Sequence, residues 1–224
     1  MEKRKTHLDN INRDIYDIRD ADTNNYKTDT GLTPEIVREI SQKKNEPDWM
    51  LELRLKSLEI YNRTPLPTWG PSLDELDMNQ IVTYVRPNTD MKDNWNEVPG
   101  YIKDTFERLG IPQAERDSLA GVGAQYDSEV VYHNIKKSLL KQGVVYTDME
   151  TAVRDYEDIV RKLFMKLVPP TDHKFAALHG AVWSGGSFVY VPEGVRLDIP
   201  LQSYFRLNAP GAGQFEHTLI VVEK

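Results

Sequence analysis

From Thr33 to about Leu167 the apolar residues recur at helical spacing with interruptions, whereas from Phe175 to Lys224 they fall in short runs separated by turn residues. Thr33 followed by Pro34 opens the first predicted helix, because proline at the first helical position lacks only an N–H that would have no intrahelical partner. The next begins near Pro47, carries Met50, Leu51, Leu53, Leu55, Leu58 and Tyr61 as a broad apolar stripe, and ends by Pro65 and Pro67, which cannot continue a helix. Ser72 and Glu75 form a capping-box pattern for a short turn, and Ile81 to Val85 reads as a strand. Further helices are expected from Tyr101 to Leu109, closed by Gly110 and Pro112, and from Asn134 to Gln142, closed by Gly143. A second capping-box pattern, Thr147 with Glu150, precedes Ala152, Tyr156, Ile159, Val160, Leu163, Phe164 and Leu167, one face of an amphipathic helix. Pro169 and Pro170 end it.

The last fifty residues read as short strands. In Val195-Arg-Leu-Asp-Ile199 three aliphatic side chains alternate with two charged ones, the period of a strand with one packed and one wet face. Phe205 and Leu207 repeat the alternation and leave Tyr204, Arg206 and Asn208 on the opposite face. Gly185-Gly186, Pro192-Glu-Gly194, Pro200 and Ala209-Pro-Gly-Ala-Gly213 break the strands at short intervals. A sandwich, a barrel and a β-solenoid all accept this spacing. The chain stops within an apolar strand-like run, Thr218 to Lys224, so an incomplete β region is expected. Three regions result: a flexible segment 1–30, poor in large aliphatics; a mainly helical region 31–168; and a β region 169–224.

Several separated blocks carry a family resemblance. Ala181-Val-Trp-Ser-Gly-Gly-Ser-Phe-Val-Tyr-Val-Pro-Glu-Gly-Val195, Asp198-Ile-Pro-Leu-Gln202, Tyr204-Phe-Arg-Leu-Asn208 and Gly213-Gln-Phe-Glu216 resemble the SufB/SufD family of iron–sulfur cluster assembly scaffolds. Gly31 to Glu52 resembles the family's N-terminal helical signature, and Ala152-Val-Arg-Asp-Tyr156 with Val160-Arg161 its middle segment. The resemblance runs in family order from about residue 24 to the end and corresponds to the first half of a full-length SufB. It implies an α+β fold in which the helical region is followed by the first rungs of a right-handed parallel β-helix. It also implies a cytoplasmic scaffold rather than an enzyme, working with a SufC-like ATPase, a SufD-like or second SufB-like subunit, and a sulfur donor. A half-length SufB paralogue, or a β-solenoid enzyme of unidentified substrate, is the alternative.

Composition narrows this picture. A net charge of -7 argues against general binding to a phosphate backbone, which needs a concentrated cationic surface. No apolar run approaches a membrane span, and the N-terminal residues lack the apolar core of a secretory signal. Neither nucleic acid nor membrane is an expected partner. The chain has no cysteine, the usual anchor for an iron–sulfur cluster and the atom a persulfide needs. A cluster is therefore expected only in the complete complex, with none held through cysteine by this chain.

The candidate chemistry lies on the strand carrying Arg206 and Asn208. There a guanidinium fork and an amide two residues apart can hold an anion or orient a reactive group. The family motif implicates the matching Arg and Asn in cluster assembly, and Gln214 and Glu216, in the neighbouring Gln-Phe-Glu segment, are weaker candidates. The structural alternative pairs Arg206 with a carboxylate and lets Asn208 close a turn. The five histidines show no paired helical spacing, so no metal site is expected and they read as surface or hydrogen-bonded structural residues. Gly121-Val-Gly123 lacks the third glycine of a dinucleotide fingerprint, and Ser138-Leu-Leu-Lys141 matches a serine–lysine motif without its companions.

Overall fold

The computed structural model describes residues 19–21, 24–109 and 119–224. A first short strand, β1 (Tyr26–Lys27), is followed by helices α1 (Pro34–Lys43) and α2 (Asp48–Arg63), then β2 (Val85–Arg86) and α3 (Gly100–Arg108). The hairpin β3 (Gly121–Tyr126) and β4 (Glu129–Ile135) leads through one helical turn, α4 (Lys137–Leu140), to β5 (Val145–Asp148). Helices α5 (Met149–Asp155), α6 (Glu157–Leu163) and α7 (Lys174–Val182) precede β6 (Ser187–Val191), β7 (Leu201–Arg206) and β8 (Leu219–Val222).

The early helices follow their sequence signals. Thr33 caps α1, its Oγ1 accepting the Ile36 N–H at 3.3 Å, and Pro34 occupies the first turn. The α2 stripe packs across α7, where Gly180 lets the helices approach until a Cβ placed on it would stand 2.5 Å from Ser57 Oγ. Ile36, Val37, Ile40, Leu58, Tyr84, Leu178, Ala181 and Val182 form the core between them. A second core joins α2 to α5 and α6 through Met50, Met149, Val153, Val160, Phe164, Trp183 and Phe188, and a third fastens α3 to the hairpin through Val98, Ile102, Phe106, Val122, Tyr126 and Val131.

Among the described residues the strands make three small sheets, β1-β2, β4-β3-β7 and β5-β6-β8. Each three-stranded sheet combines one antiparallel and one parallel pair: β3 is antiparallel to β4 and parallel to β7, and β6 is antiparallel to β5 and parallel to β8. The expected rungs of a right-handed parallel β-helix are therefore not formed; neither sheet closes or winds into a solenoid. The tight β3–β4 hairpin turns the chain back on itself, which the crossover geometry of an all-parallel sheet does not use. Val195 to Ile199 is not a strand either. Flanked by Pro192 and Pro200, it packs Val195 and Leu197 inward and exposes Arg196 and Asp198, so the alternation is kept over these four residues without a hydrogen-bonded ladder, and Ile199 is exposed.

Other elements differ from expectation. Asn134 lies in β4, so the helix expected over Asn134–Gln142 shrinks to Lys137–Leu140. The Gly121-Val-Gly123 segment is itself strand β3, and Phe175, expected to begin the strands, lies in α7. The helix expected from the Thr147–Glu150 box is capped instead by Asp148, whose Oδ1 accepts the Thr151 N–H at 2.8 Å, and Tyr156 divides it into α5 and α6. The flexible segment 1–30 falls largely on residues 1–18 and 22–23, outside the described residues, as do the Gly110 and Pro112 stop signals after α3. Tyr26 and Lys27 pair with Arg86 and Val85.

Candidate functional site

The site residues gather where β7 leaves its sheet. Strand β7 runs beside β3 with Tyr126 opposite Arg206, so the strand end meets the β3–β4 turn at Asp127. Asp127 is fully buried and has φ +54°, a left-handed conformation that Asp and Asn tolerate better than most residues. Its N–H donates to the Arg206 carbonyl at 2.8 Å. Its carboxylate Oδ1 accepts the N–H groups of Asn208 at 2.7 Å and Ala209 at 2.9 Å. Its carbonyl accepts the side-chain amides of Gln125 and Gln214, each at 2.9 Å. One turn residue thus collects the backbone of Arg206 and Asn208 and the side chain of Gln214.

Asn208 is buried, and its amide is engaged with a distant segment: Oδ1 accepts the Asp20 N–H at 2.8 Å and Nδ2 donates to the Asp20 carbonyl at 3.4 Å. The Asp20 carboxylate also accepts hydrogen bonds from the Tyr126 hydroxyl, at 2.7 Å, and from Thr105. Burial, reinforced by that carboxylate, pushes the Tyr126 hydroxyl well above its ordinary pKa, so it stays a donor. Arg206 is half-buried beside this group. The outward positions of the same strand are Phe205 and Leu207, both exposed. Both faces of β7 are covered along most of its length, Leu201 and Ser203 against the Tyr146 side and Tyr204 against the α3 core, so the apolar face is exposed only at its end.

Glu216 is placed differently. It follows Phe215, whose carbonyl accepts the Ser184 N–H at 2.9 Å, and precedes His217, whose N–H donates to the Gly185 carbonyl at 3.3 Å. Burial holds its carboxyl above the ordinary carboxylate range. His217, isolated in sequence, meets His179 with Nδ1 2.8 Å from Nε2, and its ring stacks on Phe164 at 4.0 Å. Burial, with the charge of Arg54, depresses His179 to about 4 and His217 to about 3, the latter also through its neighbour His179.

The buried polar network extends beyond the strand end through residues the sequence reading passed over. Gln125 accepts the Gly186 N–H at 2.8 Å and donates to the Ser184 carbonyl at 3.3 Å. The neighbouring Gly185 N–H donates to Glu150 Oε1 at 2.5 Å, the oxygen that also binds Lys44 Nζ at 2.5 Å. Lys44 is 3.2 Å from Glu129, whose carboxylate accepts the Tyr84 hydroxyl at 2.5 Å. Burial alone would depress the Lys44 ammonium, but Glu129 and Glu150 overcome it and hold the pKa above its ordinary value. Lys44, Glu129, Glu150 and Arg154 line a cleft of about 180 Å³. Tyr126-Asp-Ser-Glu129 between two apolar runs was the available signal for Asp127, since Asp is a turn residue that accepts a left-handed backbone. Glu150 was marked only as a capping-box residue, and nothing local marked Gln125.

Among the described residues, no group of three or more His, Asp or Glu is placed to hold a metal ion, and no helix is long and apolar enough to cross a membrane. Fold and site together define an α+β protein whose polar strand end is ordered by hydrogen bonds from a buried turn. The family model for the SufBD protein N-terminal region matches residues 37–203, and the chain belongs to this family. It is 53% identical over 209 residues to the iron-sulfur cluster assembly protein SufB of Bacillus subtilis (strain 168), a match covering 93% of this chain and 45% of the relative. It is 51% identical, with the same coverage, to an iron-sulfur cluster assembly SufBD family protein of Staphylococcus aureus (strain USA300). The chain thus spans about 45% of the length of these curated relatives.

Proposed function

We propose that this chain serves in iron–sulfur cluster assembly as the N-terminal part of a SufB-like scaffold, contributing architecture and polar contacts rather than catalysing a reaction. The observation that carries this reading is the strand end itself. The two residues of the family motif, Arg206 and Asn208, sit together on an inward-facing strand end secured by Asp127, in a chain half identical to proteins named for cluster assembly. Asn208, its amide engaged with Asp20, fixes the strand end; Arg206 is the group offered to an anionic sulfur species or nascent cluster, as a guanidinium suits. Because these residues include no cysteine, the thiolates that take up sulfur and ligate iron belong to the part of the relatives' length that this sequence does not span. A SufC-like ATPase, a SufD-like or second SufB-like subunit and a sulfur donor complete the proposed cytoplasmic complex.

The test is anaerobic reconstitution of this chain with a polypeptide covering the rest of a SufB and with the ATPase, recording iron, sulfide and the visible spectrum. The expected result is cluster formation in the mixture and not in either half alone. In the same mixture Arg206→Ala is expected to lower cluster formation about tenfold or more while leaving the far-ultraviolet circular dichroism unchanged, as loss of a charge-assisted contact implies. Absence of both association and cluster would refute the reading in favour of a half-length paralogue with another role. An undiminished rate in the Arg206→Ala protein would remove that residue from the mechanism.

A further inference from the structure

The β3–β4 turn needs only a residue that accepts φ +54°, which glycine or asparagine would satisfy. Aspartate at position 127 does more. It grips the end of β7 at three residues, through its N–H to Arg206 and its carboxylate Oδ1 to Asn208 and Ala209. Two N–H donors converging on one carboxylate oxygen form a charge-assisted anion nest, stronger than the same contacts made to a neutral acceptor. The carbonyl of the same residue holds Gln214 from one side and Gln125 from the other, and Gln125 continues to Gly186 and Ser184. Asp127 is fully buried, so water does not compete for these bonds.

We propose that Asp127 is the positioning residue of the strand-end site: its carboxylate and carbonyl lock Asn208, Ala209 and Gln214 in one arrangement and thereby fix the direction in which Arg206 is presented. This rests on the reading of Arg206 and Asn208 as cluster-assembly residues. Asp127 itself touches no cargo. Its contribution is that the strand end is ordered before any cargo arrives, the condition under which a polar site binds without reorganising.

Glycine and asparagine separate the turn from the grip. Asp127→Gly keeps the left-handed backbone at no steric cost but removes the acceptor, whereas Asp127→Asn keeps both a tolerated φ and an amide oxygen. Amide hydrogen exchange in this chain is the first readout, and the rate of cluster formation in the reconstitution mixture is the second. In Asp127→Gly, exchange at Asn208 and Ala209 is expected to accelerate about tenfold or more, with β6 and β8 amides unchanged, and cluster formation to fall about tenfold or more, as the loss of two bonds to a buried charge implies. Asp127→Asn is expected to limit both changes to about threefold, because a neutral acceptor retains about half the strength of a charged one and half of a tenfold effect in free energy is about threefold. Should the glycine variant fail to fold, the asparagine variant carries the test with proportionately smaller changes at the same two amides. Unchanged exchange at Asn208 and Ala209 would overturn the proposal, and so would faster exchange with an undiminished assembly rate, which would make Asp127 merely structural. If the wild-type mixture forms no cluster, the proposed function fails and Asp127's role in it falls too; the exchange rates show which of the two ideas failed first.

Discussion

Arg54 offers the sharpest stability test. It is completely buried on α2, and four of its donor contacts are satisfied: Nε and Nη2 bind Glu46 at 2.7 and 2.6 Å, Nη1 binds the Ala181 carbonyl at 3.1 Å, and Nη2 binds the Trp183 carbonyl at 2.9 Å. The guanidinium also lies 4.7 Å from the Trp183 ring. It therefore ties the α1–α2 connection to the last turn of α7, next to Ser184 and Gly185. Arg54→Ala would strand the Glu46 carboxylate, whose side chain is 2% exposed, and leave both carbonyls without this partner. Breaking a buried pair from one side costs about 3–5 kcal/mol, and each buried carbonyl left unsatisfied costs about 1 kcal/mol or more, so a total near 5 kcal/mol is expected. That is a large share of the ~5–15 kcal/mol by which domains are stable. The double variant Arg54→Met with Glu46→Gln removes both charges and is expected to recover at least about 2 kcal/mol of that loss. Urea unfolding followed by tryptophan fluorescence reads both, since Trp183 sits in the contact. A loss below about 1.5 kcal/mol for Arg54→Ala would mean that the pair is not a buried, mutually dependent unit, and the reasoning would fail.

Acid should loosen the fold through its histidines. His133, depressed to about 4 by burial, stays neutral in the folded chain while the unfolded chain takes up a proton near the ordinary value of 6.5. Its contribution is complete above about pH 6.5 and is lost as pH falls toward 4, amounting to about 2 kcal/mol between pH 7 and pH 5. His179 and His217 act in the same sense, whereas Asp148 and Glu216, raised by burial, oppose it. The clean measurement is the difference between wild type and His133→Phe, whose stability should depend less on pH by that amount; parallel pH profiles would contradict it. Gly186→Ala should be far more damaging than Gly194→Ala. A Cβ on Gly186 would lie 2.0 Å from the His217 carbonyl oxygen, whereas Gly194 shares a positive φ but has open space. Expected losses are more than about 3 kcal/mol against about 1 kcal/mol, measured as shifts in urea midpoint, and comparable losses would show that φ alone sets the cost.

What the sequence made legible follows from how local each signal was. Thr33-Pro34 and the α2 stripe act within one or two helical turns, and α1 and α2 lie where those signals put them, whereas the helix before Pro169-Pro170 already ends at Leu163 and α7 follows the prolines. The α7 helix escaped because Lys174 to Val182 is buried nearly all round and has no polar face to give it a period. The β3–β4 hairpin escaped because its strand begins Gly-Val-Gly and pairs through a bulge between Ala124 and Gln125, both poor signals for a strand. The β-helix expectation came from family likeness, and the two mixed sheets replace it. For the site, the residue identities Arg206 and Asn208 were readable, but their orientation was not. Strand parity puts them on one face without saying which face is inside.

Burial of the polar end of β7 explains what the hub does. An inward strand face carrying Tyr204, Arg206 and Asn208 would ordinarily be costly, because each buried polar group without a partner forfeits its hydration. Asp127 and Asp20 supply partners for the strand end, Gln125 links Asp127 to the Ser184–Gly186 segment, and Glu150 with Lys44 closes the other side of that segment. Three acidic residues sit between segments far apart in sequence: Asp20 joins α3 and β3 to residue 208, Asp127 joins the hairpin to β7, and Glu150 joins α5 to Gly185 and Lys44. Three sequence-distant acids therefore do for the polar strand end what apolar contacts do for the helical cores. Loss of the Asp127 carboxylate should therefore loosen the strand end at Asn208 and Ala209 while the helical cores, which rest on apolar contacts, keep their order.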